Sequence, residues 1–382
     1  AGTEVILTIK KPNTGEVQDY SIIRDVITIK DIPFYGMVND NVGYLRITNF
    51  SVNTANETKD ALISLMQNGA SNVIIDLRDN PGGLLSSSLD LLDLILPKNL
   101  ELVSTKGRAG KSIKNYKTLN NALIPDTINM AVLINGASAS ASEIVAGVLQ
   151  DYDRAIVLGS QSFGKGLVQT VIGINQETAL KITNSKYYIP SGRSLQKREF
   201  IDDELIANSS AVADTLFQTK AGRTVIGGGG IGPDVIVKDE GSYPLAASIL
   251  RSRGYFKFVQ ENNNQYSSID EVLADEELMV KFKAFIEKND ISGYVDGQED
   301  LKLAKEKLSK KEEKNLFINN AFSVIEKQIE KTQSTMFEDE KEIIQRMVHG
   351  EFAFYYNGYE GRYNIYLKDD TVVQKAIEIF AD

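Results

Sequence analysis

The sequence predicts an α/β fold in which helices cover a largely parallel sheet, followed by a helical region. Two patterns support this prediction. Between residues 42 and 240, short apolar runs typical of buried strands alternate with stretches of helical spacing. From residue 241 the chain is charged, amphipathic and helical in its spacing. We therefore expect three units, at residues 1–41, 42–240 and 241–382.

The elements of these units can be assigned from the sequence. Residues 4–9 and 17–30 alternate around the turn signal Pro12-Asn13-Thr14-Gly15, which predicts a β-hairpin and a connecting strand. In the core, the predicted helices are ETKDALISLMQN, LLSSSLDLLDLIL and SEIVAGVLQD, and the predicted strands are GYLRITNF, SNVIIDLRDN, MAVLIN, RAIVLGS, GLVQTVIGI and ALKITNSKYYI. In the third unit, the linker NDISGYVDGQED separates two long helical stretches.

The composition of the 382 residues excludes several functions. The net charge is −10 without a basic tract, which argues against nucleic-acid binding because phosphate contacts need clustered Lys and Arg. No apolar run approaches the ~20 residues of a membrane span. The chain has no cysteine, and its single His349 cannot build a multi-histidine zinc site. We expect no metal, no cofactor and no catalytic role for His349.

Three serines lie between a predicted strand and a predicted helix, in AVLINGASASASEIVAG at residues 131–147. Backbone N–H groups at a helix start lack partners, so they could stabilise an oxyanion next to a nucleophile. Ser138, Ser140 and Ser142 are therefore candidate nucleophiles. The alternative is that they cap the helix and pack as small residues, and position alone does not decide between the two.

A lysine in GSQSFGKGLVQ, residues 159–169, is the candidate base. If a strand begins there, Lys165 and Gln169 share one face, and Gln169 could orient the amine. Apolar neighbours would favour the neutral amine, which can accept a serine proton. The alternatives are a solvent-facing lysine in a glycine turn and a phosphate-binding loop. The second lacks the Ser or Thr required after the lysine, and a strand pattern follows instead of a helix.

Paired glycines follow a buried strand in DNPGG, and they allow a close approach of the backbone. The N–H groups of Gly82 and Gly83 could form an oxyanion hole with that of Ala141. The alternative is a plain strand-to-helix turn.

In this order, DLRDNPGG, NGASASASEIVAGVLQD and GSQSFGKGLVQ resemble the carboxy-terminal processing proteases, the S41 family of serine peptidases. The resemblance covers about residues 42–240. It implies a ClpP/crotonase-like core preceded by a partial PDZ domain in residues 1–41. It also implies that Ser140 is the nucleophile, Lys165 the general base and Gln169 a support for the lysine.

The same resemblance implies an oxyanion hole of Gly82 or Gly83 with Ala141, and a structural position for Asp151. It further implies export to the cell envelope or periplasm and protein or peptide substrates. The helical region is expected to pack or to dimerise, and a homodimer through the terminal regions is a further expectation.

These inferences predict a serine endopeptidase that uses a Ser-Lys dyad to cleave proteins near their C-termini. Two alternatives stay open. One is a catalytically inactive peptide-binding or scaffold protein of the same fold. The other is a crotonase-like enzyme that processes acyl-CoA, in which glycine N–H groups polarise a carbonyl without a Ser-Lys pair.

Overall fold

The computed structural model describes residues 1–11, 14–27, 29–107, 112–175, 177–197, 199–201, 204–206, 215–237, 241, 243–309 and 316–381. Pro12 and Asn13 of the predicted turn lie outside these residues, as does the segment 310–315 of the second long helical stretch. Within the described ranges, no helix combines the length and the apolar character needed to cross a membrane.

The strands are numbered along the chain. They are β1 (Glu4–Lys10), β2 (Val17–Ile23), β3 (Phe34–Met37), β4 (Val42–Arg46), β5 (Asn72–Asp76), β6 (Glu101–Gly107), β7 (Ser112–Lys117), β8 (Asn129–Ile134), β9 (Ile156–Gly159), β10 (Leu167–Gly173), β11 (Ala179–Tyr188), β12 (Glu199–Ile201), β13 (Glu204–Ile206), β14 (Leu216–Gln218), β15 (Thr224–Ile226) and β16 (Val235–Ile236).

The helices are numbered in the same way. They are α1 (Thr54–Gln67), α2 (Leu85–Ile95), α3 (Ala141–Asp151), α4 (Pro244–Arg251), α5 (Gly254–Asn262), α6 (Ile269–Ala274), α7 (Leu278–Lys288), α8 (Gln298–Ser309), α9 (Leu316–Asp339), α10 (Lys341–Lys368) and α11 (Thr371–Ala381).

The central sheet has six strands in the order β16-β9-β8-β5-β4-β3. Only the edge pair β3–β4 is antiparallel, and the other neighbours are parallel. The predicted largely parallel sheet is therefore confirmed. Its inner strands are continuous apolar runs because both faces are buried, as parallel sheets require.

Both faces of this sheet are covered by helices. Successive residues of a strand point to opposite faces. Val73 and Ile75 of β5 accordingly pack in the cluster that contains α1, α2 and α3, while Ile74 packs in a second cluster with Val373 and Ala376 of α11. The last helix thus completes the core, a role that the sequence analysis did not assign to it.

Two predicted strands do not belong to the central sheet. β10 and β11 form a separate four-stranded antiparallel sheet with β6 and β7, in the order β10-β11-β6-β7. β6 and β7 were not predicted from the sequence. Alternation of apolar residues identifies a strand but carries no information about the sheet that the strand joins.

At the N-terminus, β1 and β2 form the predicted antiparallel hairpin, with Glu4 opposite Ile23 and Lys10 opposite Val17. Most of its side chains are exposed on both faces. A two-stranded hairpin without a covered face has little stability of its own.

The helical region from α4 to α10 has its own core of aromatic side chains. Phe258 contacts Phe282 edge-on, with ring centroids 4.9 Å apart, and Phe352 edge-on at 6.1 Å. Both Phe282 and Phe352 are completely buried. Helix α10 is broken at Gly358, where φ is 63° and ψ is −150°. The linker predicted at residues 289–300 is confirmed over residues 289–297, and its last three residues form the start of α8.

We expect Phe352→Ala to lower the free energy of unfolding of the helical region by about 3–5 kcal/mol, because it removes a fully buried ring and leaves a cavity. Urea titration followed by circular dichroism measures the change. The control is Phe256→Ala on α5, where the ring is 50% exposed. Equal losses for the two variants would contradict the described core.

Candidate active site

The turn between β8 and α3 carries the three serines and places them in different environments. Ser138 and Ser142 are fully buried. The Ser138 hydroxyl donates to the Leu77 carbonyl at 2.8 Å, and the Ser142 hydroxyl donates to the Asn80 carbonyl at 3.0 Å. Both fasten the turn to the segment after β5. Ser140 alone among the three is partly exposed, so it is the one that a substrate can reach.

The backbone at Ser140 is strained. Its φ is 58° and its ψ is −111°, in a region that residues other than glycine avoid. Such a conformation costs on the order of 1–3 kcal/mol and persists only where the surroundings impose it. Here it presents Ser140 at the N-terminus of α3, directly before the Ala141 N–H, which has no acceptor among the described residues.

The glycine pair after β5 approaches the serine turn more closely than side chains would permit. A Cβ on Gly82 would lie 2.5 Å from the Ala139 carbonyl oxygen and 2.9 Å from the Ala141 nitrogen. A Cβ on Gly83 would lie 2.1 Å from the Phe50 carbonyl oxygen. The close approach expected of this pair is therefore made to the serine turn and to the segment after β4.

Among the described residues, the backbone N–H groups of Gly83 and Ala141 have no hydrogen-bond acceptor. The Gly82 N–H donates instead to Asn80 Oδ1 at 2.9 Å. A free N–H can bind a developing oxyanion, whereas an occupied one must first lose its partner. Of the glycine pair, Gly83 fits the predicted role with Ala141 better than Gly82 does.

A buried carboxylate joins the serine turn to the segment around Lys165, residues 162–166, which we call the lysine segment. Glu143 lies in the first turn of α3 and is completely buried. Its Oε2 accepts from the N–H groups of Ser140 and Lys165, each at 2.8 Å. Its Oε1 accepts from the Gly164 N–H at 2.7 Å and from the Ser162 hydroxyl at 2.6 Å. Four donors offset the cost of burying a carboxylate.

Because Ser140 and Lys165 donate to the same oxygen, their backbone nitrogens lie no farther apart than the two bonds together. A second link ties the segments, since the Phe163 N–H donates to the Ser138 carbonyl at 3.0 Å. The structure therefore brings the backbones of the predicted nucleophile and base together.

The lysine segment is also held from its other side. The Lys197 N–H donates to the Gly164 carbonyl at 3.0 Å, and the Gly166 N–H donates to Gln196 Oε1 at 2.9 Å. A Cβ on Gly164 would lie 2.4 Å from the Lys197 Cβ, and one on Gly166 would lie 2.5 Å from the Gln196 nitrogen. The two glycines around Lys165 are thus required by packing.

The side chains of Lys165 and Gln169 are both exposed. The expectation that apolar neighbours enclose Lys165 is wrong for this structure, because Lys165 lies in the loop before β10, which begins at Leu167. The expected common face also fails, since β10 has a bulge between Val168 and Gln169. Among the described residues, no hydrogen bond joins the Lys165 amine to Ser140, and the Gln169 amide contacts Thr183 Oγ1 at 3.5 Å.

Asp151 has the structural environment that the sequence analysis expected. Its buried Oδ1 accepts from Arg193 at 2.8 Å, and its Oδ2 accepts from the Ser191 N–H at 2.9 Å. Burial raises the pKa of Asp151 although Arg193 opposes the rise. Because Arg193 precedes Gln196, this ion pair anchors the segment that holds the Lys165 backbone.

His349 lies in α10, within a cleft lined by described residues of the helical region. Burial lowers its pKa. None of the residues that line this cleft belongs to the serine turn or the lysine segment.

Two residues of this site were missed in the sequence analysis. Glu143 had a signal, since Ser140-Ala141-Ser142-Glu143 follows the S-x-x-E pattern of a capping box. Asn80 had none. Its Nδ2 donates to the Ile47 carbonyl at 2.9 Å while its Oδ1 holds the Gly82 N–H, and both contacts depend on the tertiary fold.

Comparison with known proteins agrees with this architecture. Residues 41–206 match the model of Peptidase family S41. Residues 245–380 match the model described as the C-terminal helical domain of a probable PDZ-protease. Over residues 41–206, the chain is therefore similar to peptidase family S41.

Individual relatives match about half of this chain. A carboxy-terminal-processing protease of Bartonella bacilliformis is 41% identical over 200 residues, which cover 51% of this chain and 45% of that protein. A carboxyl-terminal-processing protease of Picosynechococcus is 35% identical over 209 residues, with coverages of 54% and 49%. A probable CtpA-like serine protease of Staphylococcus epidermidis is 36% identical over 207 residues, with coverages of 54% and 41%. The chain thus spans about half, or less, of the length of the curated relatives it matches.

We expect Glu143→Gln to lower the free energy of unfolding by about 2–4 kcal/mol. Glutamine offers one acceptor oxygen and one amino group where the carboxylate accepts four hydrogen bonds, and each buried donor without an acceptor costs about 1–3 kcal/mol. Thermal and urea unfolding measure the loss. The matched control is Glu177→Gln, at an exposed position in the β10–β11 connection. A loss no larger than that of the control would contradict the role of this carboxylate.

Proposed function

We propose that this protein is a serine endopeptidase in which Ser140 is the nucleophile and Lys165 the general base. The observation that carries the proposal is the position of the buried Glu143 carboxylate. Its Oε2 accepts hydrogen bonds from the backbone N–H groups of both residues. The strained φ of Ser140 and the free N–H groups beside it add support. The substrates are proteins cleaved near their C-termini, which the names of the relatives suggest.

In this mechanism, the neutral Lys165 amine accepts the proton of the Ser140 hydroxyl while Oγ attacks a peptide carbonyl carbon. The N–H groups of Ala141 and Gly83 stabilise the negative charge of the tetrahedral intermediate. The intermediate collapses to an acyl-enzyme as the protonated lysine gives its proton to the leaving amine. Water then hydrolyses the ester, with Lys165 acting again as the base.

The exposed position of Lys165 sets a condition on this mechanism. Its backbone is fixed, but its side chain has four rotatable bonds and can turn toward Ser140 from there. A peptide bound over the serine turn would exclude water from the amine and favour its neutral form. Gln169 is proposed to hold the amine once it has turned. The proposed dyad is therefore completed when the substrate is bound.

The two alternatives predict different chemistry. An inactive peptide-binding protein would bind peptides without acylation of Ser140. A crotonase-like enzyme would turn over an acyl-CoA thioester and would not depend on Lys165. The backbone N–H groups of Ser140 and Lys165 both donate to the Glu143 carboxylate, which keeps the two residues close together. This proximity favours the peptidase over both alternatives.

We expect Ser140→Ala to abolish peptide hydrolysis and labelling by a fluorophosphonate, and Lys165→Met to lower kcat by at least ~10³-fold, because the base is lost. Hydrolysis of an unfolded protein substrate and intact-mass analysis of the labelled serine are the measurements. The control is Lys181→Met, an exposed lysine on β11. Unlabelled wild-type protein would favour the inactive alternative, and acyl-CoA turnover that survives Lys165→Met would favour the crotonase-like one.

Three further assignments complete the proposal and rest on the family resemblance. The β1–β2 hairpin is proposed to be the remnant of a PDZ domain. The protein is proposed to act in the cell envelope or periplasm, and to form a homodimer through its terminal regions.

A further inference from the structure

An ion pair joins the last helix to the loop that carries the glycine pair. The Arg78 guanidinium donates from NH2 to Asp370 Oδ2 at 2.8 Å and from NH1 to Asp370 Oδ1 at 3.2 Å. Both side chains are largely buried, with 18% and 17% exposed. Two parallel bonds between a guanidinium and a carboxylate fix orientation as well as distance. The helical region thereby reaches a residue four positions before Gly82.

Arg78 is locked from the other side by Asp76, the last residue of β5, which is completely buried. Arg78 NH2 donates to Asp76 Oδ2 at 2.6 Å, and Arg46 NH1 lies 2.8 Å from Asp76 Oδ1. Burial alone would raise the pKa of Asp76, but the charges of Arg46 and Arg78 outweigh it and hold that pKa well below its usual range. Arg46 also pairs with Asp79 at 3.1 Å.

The network continues into the backbone of the glycine loop. Asp79 has a φ of 58°, and its N–H donates to Asn135 Oδ1 at 2.9 Å. The next residue, Asn80, holds the Gly82 N–H with its side chain and accepts from the Ala139 N–H with its carbonyl at 3.0 Å. The position of the glycine loop next to the serine turn therefore depends on the ion-pair network that begins at Arg78.

The other end of the ion pair begins helix α11. Asp370 Oδ1 accepts from the N–H groups of Val372 and Val373, each at 3.0 Å, so this carboxylate caps the helix. Val373 and Ala376 of the same helix are completely buried against the central sheet. One carboxylate thus serves both the docking of α11 and the orientation of Arg78.

We propose that Asp370 and Arg78 are positioning residues for the Ser140 site, through which the docked helix α11 holds the Gly83 N–H in place for the oxyanion. This inference rests on the proposed peptidase function. It makes the final helix of the helical region a determinant of turnover, although no hydrogen bond among the described residues joins α11 to the serine turn.

The test uses Asp370→Asn in the full chain. Asparagine keeps an oxygen that caps α11 but loses the charge and the second acceptor for Arg78. We expect kcat for peptide hydrolysis to fall about tenfold with little change in KM. The displaced loop weakens the hydrogen bond from the Gly83 N–H to the oxyanion but leaves the binding of the substrate unchanged. Asp369→Asn, the exposed neighbour, changes the net charge equally and is the matched control.

A second variant, Arg78→Lys, keeps the positive charge beside Asp76 and loses the parallel bonds to Asp370. If Asp370 acts through Arg78, the double variant Asp370→Asn/Arg78→Lys falls no further than the worse single variant. Losses that multiply in the double variant would overturn the proposal.

Hydrogen–deuterium exchange of the peptide spanning residues 77–85 gives a readout that needs no activity. The Gly82 and Leu84 amides donate to Asn80 Oδ1 and to the Phe50 carbonyl, and we expect both to exchange about tenfold faster in Asp370→Asn. Exchange equal to that of Asp369→Asn overturns the coupling, and faster exchange with unchanged kcat overturns the positioning role. If the wild-type protein hydrolyses no peptide, the proposed function fails, and exchange alone decides whether α11 holds the loop.

Discussion

The carboxylate of Glu143 accepts four hydrogen bonds from groups that belong to two different loops, and it lies in the interior of the core. A buried carboxylate without donors would be strongly destabilising, so the fold is favourable only when both loops close around it. That requirement imposes the strained backbone of Ser140 and fixes the backbone of Lys165. The geometry of the candidate site is thus a condition for folding the core.

The central sheet and its helices could be predicted because their signals are local. Buried strands such as β5 and β8 are continuous apolar runs, and α1 to α3 have apolar residues at helical spacing. The sheet to which β10 belongs could not be predicted, since its partners β11 and β6 are set by long-range pairing. The side of the strand on which Gln169 lies was predicted from regular alternation, and the bulge between Val168 and Gln169 interrupts that alternation.

The site could be predicted only in part for the same reason. The strand-to-helix junctions identified the three serines and the glycine pair as candidates, whereas the choice of Ser140 among the serines came from the family resemblance. In contrast, the sequence does not report which glycine of the pair keeps a free N–H. Gly83 does, because the Gly82 N–H donates to the Asn80 side chain. The contact of Arg78 with Asp370 joins residues 292 positions apart, and no local pattern reports it.

The packing of α11 on the central sheet has a consequence for biosynthesis. The buried strand residues of this layer lie between residues 34 and 159, whereas the helical side chains that cover them begin at Tyr363 and continue through α11. A ribosome-bound chain therefore carries an uncovered apolar layer through most of its translation, which is the kind of surface that aggregates or recruits chaperones. Completion of the core has to await the emergence of this helix from the exit tunnel.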